Sequence, residues 1–396
     1  MKKLSLAVIS LFTGILLSFS QTADTGAYKN RRLKIEEVNF IASYYHQEGN
    51  LSPITGGFGS QKLSDYATSI ELKMNRWDKK NRKHEVNGEL GVEYYTSASS
   101  DKIDYNISSA SRQDVRYNPS GSLLITNEKK GTSTGAYGAY SIDSHYASYG
   151  LGASFGKTSK DKNSEFSIKV MAYLDRLKLI YPIELRTGPP ILSNKDYPKT
   201  HRNSFSSSLT FSQVINKKLQ MQWLLDLVYQ QGYLSTPYHR IYFSNGAETI
   251  ERLPSSRFKV PLGMRVNYFA GDKIILRLYY RFYADDWGLL SHTASLEVPV
   301  KVTPFLSFSP FYRFYYQNGV KYFAPYGQHL SSEEFYTTDD DLSPFMSNYE
   351  GLGIRYAPPG GVFKKKRLNT LEIRYGHYER TNGLTANIVS LNLKVR

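Results

Sequence analysis

The last ten residues alternate without a break. Val389, Leu391, Leu393 and Val395 fall on one side of an extended chain, and Ser390, Asn392, Lys394 and Arg396 on the other. A period of two marks a β-strand with one apolar and one polar face. The same dyad runs through Lys218–Gln231, where Leu219, Met221, Trp223, Leu225, Leu227 and Tyr229 oppose Gln220, Gln222, Asp226 and Gln230. It recurs in Ser256–Ala270, where Phe258, Val260, Leu262, Met264, Val266 and Tyr268 oppose Arg257, Lys259, Arg265 and Asn267. Read this way, the chain gives about sixteen candidate strands between Ile35 and Arg396. Weak alternation around residues 112–143 leaves fourteen as the alternative count. The pattern predicts an all-β fold: a closed antiparallel transmembrane barrel, apolar outside and polar inside.

The connections alternate in length, except that three on the long side are short, at about Ser144, Asp286–Leu290 and Thr381–Gly383. Gln47–Ser64, Ser97–Ser111, Tyr181–Arg202, Gly232–Ser255 and Asn318–Pro344 are long, whereas Asp78–Lys83, Lys217, Gly271-Asp272 and Pro304 are short. Long extracellular loops and short periplasmic turns are the habit of outer-membrane barrels. Gly271-Asp272, between Tyr268-Phe269 and Ile274-Ile275, is a good hairpin turn. Pro310 lies inside a predicted strand and must occupy a bulge or a weakly paired position.

Three segments follow. Residues 1–20 read as a cleaved signal peptide: Lys2 and Lys3, an apolar stretch, then Ser18-Phe19-Ser20 before Gln21. Residues 21–34 read as a flexible periplasmic lead, and 35–396 as the barrel, with no second domain. The absence of cysteine excludes lipid anchoring at a cysteine, disulfides and thiolate metal sites. No later segment approaches the length of a membrane-spanning helix. The 33 Tyr and 20 Phe suit aromatic girdles at two membrane interfaces.

The net charge of +15 would ordinarily raise nucleic acid as a partner. For an exported chain, outer-membrane lipids, lipopolysaccharide and anionic solutes are the better expectations, and no nucleic acid is expected. With apolar faces turned outward, the inward bases are Lys73, Lys169, Arg257, Lys259, Arg265, Arg277, Arg281, Lys301, Arg313, Arg355, Arg374 and Lys394. The inward acids are Glu71, Glu89, Glu93, Asp175, Asp226, Glu297 and Glu372. Such charges either pair across strands or line a pore that leans basic and favours anions. A slip of one residue in any strand would invert its faces.

Two further groups carry candidate chemistry. Asp285 and Asp286, with His292 at the start of the next strand, make a tight turn, a cation site or a hydrolytic site. In the turn reading Trp287 anchors the membrane interface. Asp339, Asp340 and Asp341 are candidate metal ligands in the loop Asn318–Pro344, although the spacing is not an EF-hand. His46, His145, His201, His239, His292, His329 and His377 gather toward the extracellular side with no metal-motif spacing, leaving a cluster drawn from different loops as the alternative.

The run Arg281-Phe282-Tyr283-Ala284-Asp285-Asp286-Trp287-Gly288-Leu289-Leu290-Ser291-His292-Thr293 resembles a family of Bacteroidota-type outer-membrane barrels, filed as domain of unknown function 3570. Tyr44-Tyr45-His46-Gln47-Glu48-Gly49-Asn50, Arg252-Leu253-Pro254-Ser255-Ser256-Arg257 and Phe323-Ala324-Pro325-Tyr326-Gly327 share the resemblance, as does Leu371-Glu372-Ile373-Arg374-Tyr375-Gly376-His377-Tyr378. It implies an outer-membrane barrel in an envelope redox or metal-handling setting, and no established activity. The leading expectation is a channel for a small anionic or metal-linked solute, not an enzyme, with no cofactor. The alternatives are a plugged barrel that binds an envelope protein partner, and a barrel-embedded hydrolase.

Overall fold

In the computed structural model, residues 31–96, 113–186 and 197–396 are described. The expected signal peptide and residues 21–30 of the expected lead lie outside them, as do parts of two long loops. Lys34, assigned above to the lead, already opens the first strand.

Antiparallel strands form one closed sheet. They are β1 (Lys34–Glu48), β2 (Leu63–Trp77), β3 (Lys83–Thr96), β4 (Gln113–Asn127), β5 (Thr132–Ile142), β6 (Tyr146–Thr158), β7 (Ser164–Lys178) and β8 (Lys199–Asn216). Then come β9 (Leu219–Gly232), β10 (Ser256–Ala270), β11 (Ile274–Asp285), β12 (Leu290–Glu297, resuming at Val300–Lys301), β13 (Leu306–Asn318), β14 (Pro344–Tyr356), β15 (Leu368–Arg380) and β16 (Thr385–Val395). Each pairs with its sequence neighbours. The barrel closes where β1 meets β16, from Val38↔Val395 to Glu48↔Thr385. The strands near residues 112–143 are present, so the count is sixteen and not fourteen.

One register runs round the wall and sorts the faces. Leu151, Leu262, Leu278, Ile373 and Val389 point outward and are well exposed. Tyr44, Tyr66 and Tyr94 continue from strand to strand, with ring centres 4.8 and 6.3 Å apart, and Tyr140–Tyr149 repeats the contact at 5.0 Å. Phe211 and Trp223 stack on the outer face toward the opposite end of the wall. An apolar band between aromatic belts, with every strand edge paired, meets what a bilayer demands of a β-structure. Glu350 breaks the band. It is the middle residue of β14, opposite Tyr312 and His377, exposed, and without a hydrogen bond or ion pair among the described residues.

The strand prolines sit where a ladder is broken. Pro119 lies in the gap between Tyr117↔Ile142 and Ser120↔Ala139. Pro261 lies between Lys259↔Val228 and Leu262↔Leu225. Pro310 faces the interruption of β12 at Val298-Pro299, although Val298 N–H still donates to its carbonyl at 3.0 Å. A proline has no N–H to give its neighbour, and the wall concedes the pairing there. On β6 the glycines leave room for inward side chains: a Cβ at Gly152 would stand 2.1 Å from the Met171 sulfur.

Candidate functional site: the lumen wall and its loop cap

The register places the charged candidates on the inner face. Arg257, Lys259 and Arg265 come from β10, Arg277 and Arg281 from β11, Glu297 and Lys301 from β12. Arg313 comes from β13, Arg355 from β14, and Glu372 and Arg374 from β15. Glu297 accepts from Arg277 and Arg374, each at 3.0 Å, and Arg374 also reaches Glu372 at 3.3 Å. Lys259, Arg265, Arg281, Lys301, Arg313 and Arg355 have no carboxylate partner among the described residues. Arg265 and Arg313 lie over Tyr279 and Tyr349 instead, at 5.4 and 4.9 Å.

The far wall has the opposite sign. Glu85, Glu89 and Glu93 project inward from β3, and Asp65 and Glu71 from β2. Glu37 on β1 collects Lys394 at 2.9 Å, Arg396 at 3.2 Å and Lys73 at 3.6 Å. The structure also turns Glu37, Asp65 and Glu85 inward, together with Arg116, Arg202 and Arg380. The charge is separated: free bases on β10–β14, acids on β1–β3, with the lumen between. A recess of about 420 Å³ lies against the acidic wall, beside Glu89, Glu93, Asn118 and Ser141.

Loops cover one end. Between β9 and β10, Arg240–Tyr242 and Glu248–Ile250 form a hairpin. The loop Asn318–Pro344 docks on it through bridges Phe243↔His329 and Arg252↔Tyr336. Leu253, Trp287, Leu289 and Val320 are buried together beneath Tyr322 and Phe323, a small apolar core outside the barrel proper. Arg240 donates to the Ile54 carbonyl at 2.5 Å and to Glu184 at 2.6 Å. Ile54 lies between β1 and β2 and Arg240 between β9 and β10, half a circumference apart. The loops therefore meet across the mouth. A cleft of about 530 Å³ remains between this cap and the wall, bordered by Arg116, Asp143, His145, Lys178, Arg202 and His239.

Inside the cap, His239, Glu251 and Asp339 converge, one ligand atom from each lying within 4.8 Å of the others. His239 and Glu251 are buried and Asp339 is half-buried. Burial opposes the charged imidazole of His239, but Glu251 and Asp339 raise its pKa. Burial, with Asp341 and Glu251 nearby, pushes the Asp339 carboxyl up to about 6. A second group, Asp114, Asp143 and His145, borders the cleft. There Asp143 is held by Arg116 at 2.9 Å and caps the turn through the backbone N–H groups of His145 and Tyr146.

The model of the family described as "Protein of unknown function (DUF3570)" matches residues 92–389. The chain belongs to this family. No curated protein sequence matches it. Among solved structures, this DUF3570 chain is similar to a BenF-like porin from Pseudomonas fluorescens Pf-5, with 9% identity over 93% of this chain and 100% of that one and a TM-score of 0.45. It is also similar to OccK1 (OpdK) of Pseudomonas aeruginosa, with 7% identity over 91% and 97% and a TM-score of 0.41. A bacterial polysaccharide outer membrane secretin aligns at 10% identity over 93% and 99%, with a TM-score of 0.45.

Asp285, Asp286 and His292 of the DUF3570 chain do not assemble into a catalytic site. Asp285 faces inward, fully buried, bound by Arg257 and by the Tyr283 hydroxyl at 2.7 Å. Its other oxygen accepts from Leu289 N–H at 3.1 Å, and Gly288 takes φ +87° to close the turn. His292, one strand on, points to the outer face, where Nδ1 meets the Tyr280 hydroxyl at 2.7 Å. Opposite sides of a sheet cannot share a reacting atom. Trp287 is not an interface anchor either. It is buried in the cap core, with Arg257 4.2 Å from its ring centre and its Nε1–H donated to the Ser256 carbonyl.

The candidate ligands Asp339, Asp340 and Asp341 separate as well. Asp340 is bound by Gln61 and Asn382, and Asp341 by Arg380 at 2.7 Å, so neither is free to join Asp339 around one ion. Glu251 is the partner not foreseen from sequence, and His239 stood there only as one of seven histidines open to a cluster from different loops. The two lie twelve residues apart on a loop, with no periodic spacing to flag them.

Proposed function

We propose that this protein is an outer-membrane channel that admits small anionic solutes, free or metal-linked, past a loop-narrowed mouth. The observation that carries the reading is the charge-separated lumen of a closed barrel with an apolar exterior. Unpaired Lys259, Arg265, Arg281, Arg313 and Arg355 would be costly on a lipid-facing wall, about 2–4 kcal/mol each near midplane. In an aqueous lumen they remain solvated and offer an anion successive sites. In this reading the capped end faces outward, lipid and lipopolysaccharide surround the wall, and the chain does no catalysis. The likeness to porins in overall shape carries no weight for the solute.

Planar-bilayer recording of the purified protein tests the reading. Discrete conductance steps with a reversal potential displaced toward the anion in a salt gradient are expected. A barrel that never conducts would reject it. A second reading has one observation in its favour: Arg240 reaching Ile54 across the mouth. A mouth tied shut belongs to a capped barrel that serves as a docking partner in the envelope, and such a barrel would not conduct until the tie is cut.

A further inference from the structure

We propose that His239, Glu251 and Asp339 form a binding site for a divalent transition-metal ion of the Zn²⁺ class, clamping the loop between β9 and β10 to the loop between β13 and β14. Donor atoms around a tetrahedral ion with bonds of ~2.1 Å stand about 3.4 Å apart. His239 Nδ1 and Glu251 Oε1 are 3.5 Å apart, and one ligand atom each of His239, Glu251 and Asp339 lie within 4.8 Å of one another. One Asp339 oxygen caps the turn by accepting from Asp341 N–H at 3.0 Å, and the carboxylate can supply the third side of the ion, leaving the fourth for water. His239 borders the cleft beneath the cap, and Glu251 lines a smaller cavity of about 340 Å³, so solvent has access to the cluster.

The neighbours of Glu251 support a ligand role. Thr236 N–H donates to one of its oxygens at 2.6 Å and the Thr337 hydroxyl to the other. Outer hydrogen bonds of this kind fix a carboxylate in the orientation a metal needs.

No Arg or Lys competes for Glu251 and Asp339 among the described residues. Four other buried acids of this end carry an arginine: Asp285 has Arg257, Asp340 has Arg380, Asp143 has Arg116 and Asp175 has Arg202. Glu251 and Asp339 have neither Arg nor Lys within ion-pair distance among the described residues, and converge on a histidine instead. Two carboxylates and one imidazole keep a net negative charge even with the ring protonated. A divalent ion neutralises it, and imidazole with two carboxylates suits Zn²⁺ or Mn²⁺ better than Ca²⁺, which takes oxygen ligands.

The test reads metal and not transport, so it stands whatever the barrel carries. Chelator-treated full-length protein in detergent is titrated calorimetrically with Zn²⁺, Mn²⁺ and Ca²⁺. One saturable Zn²⁺ site is expected, weakened at least about tenfold by D339N and by H239A, the loss that even an outer ligand partner can cause. H145A, in the other cluster, should bind as the wild type does. If H239A fails to fold, D339N carries the result, because its side chain is half-buried and keeps its shape. No saturable Zn²⁺ site, equal binding by D339N, or loss of the site in H145A would overturn the assignment.

Discussion

Glu71 and Glu89 face each other directly across the β2–β3 ladder, both on the inner wall. Like charges at opposed positions destabilise a sheet. Here Asn39 donates to Glu71 at 2.8 Å and Lys73 lies 3.6 Å away, whereas Glu89 has no basic partner among the described residues. Water in a lumen lowers the repulsion, and the pair is one pole of the field across it. Replacing both with glutamine removes that pole. The reversal potential of E71Q/E89Q in a salt gradient should shift further toward the anion, and that of R281Q/R313Q in the opposite direction. Equal shifts of one sign in both variants would contradict a charge-separated lumen.

Arg240 ties the cap. R240A removes its bonds to Ile54 and Glu184 together. Single-channel conductance should rise by a clear fraction, with fewer closures, while the barrel stays folded by its strand circular dichroism. An unchanged conductance would mean that the mouth is limited elsewhere.

Acid should do the same work at lower pH. Burial opposes ionisation of Glu184, but the Arg240 guanidinium outweighs it and holds the carboxyl below the ordinary glutamate range. A folded-state pKa below the unfolded value contributes stability above the unfolded value, lost as pH falls through the folded one. The part of any acid-induced conductance rise that R240A abolishes should therefore appear only below about pH 4. A rise centred near pH 6 would point to another group.

Asp285 is a structural acid. In D285N the buried Arg257 keeps its charge and loses its counter-ion. Breaking a buried pair in this way costs about 3–5 kcal/mol. Chemical unfolding in detergent should show a midpoint lowered accordingly, and D286N should unfold as the wild type does.

Glu350 is the reverse case, a carboxylate on the outer wall at mid-strand. Its exposure to hydrocarbon is unfavourable by ~1 kcal/mol or more. E350L should therefore raise the unfolding midpoint in lipid vesicles. A lowered midpoint would show that Glu350 has a partner in the membrane.

The wall was legible because it obeys a local rule. A strand between lipid and a polar lumen must alternate, so the faces of β9, β10 and β16 can be read from the chain, and one closed register then fixes the rest. Pro310 was legible for the same reason, as a residue that a ladder must accommodate. The cap follows no such rule. Arg240 meets Ile54 and Glu251 meets Asp339 across long stretches of sequence, and nothing periodic marks them. The run Asp339-Asp340-Asp341 suggested a shared ligand set. Its three side chains go to different partners: Asp339 caps its own turn through Asp341 N–H, Asp340 takes Gln61 and Asn382, and Asp341 takes Arg380. Asp285 and His292 misled for a geometrical reason: closeness along a hairpin says nothing about which side of the sheet each faces.

The contact between Arg240 and Ile54 has a mechanical side. Hydrogen bonds between neighbouring strands resist separation but do little against flattening, since a ring of hinged staves becomes an ellipse at small cost. A strut fixed to opposite arcs removes that freedom along its own line. Any distortion of the cross-section imposed by the surrounding bilayer must then be taken up by the loops.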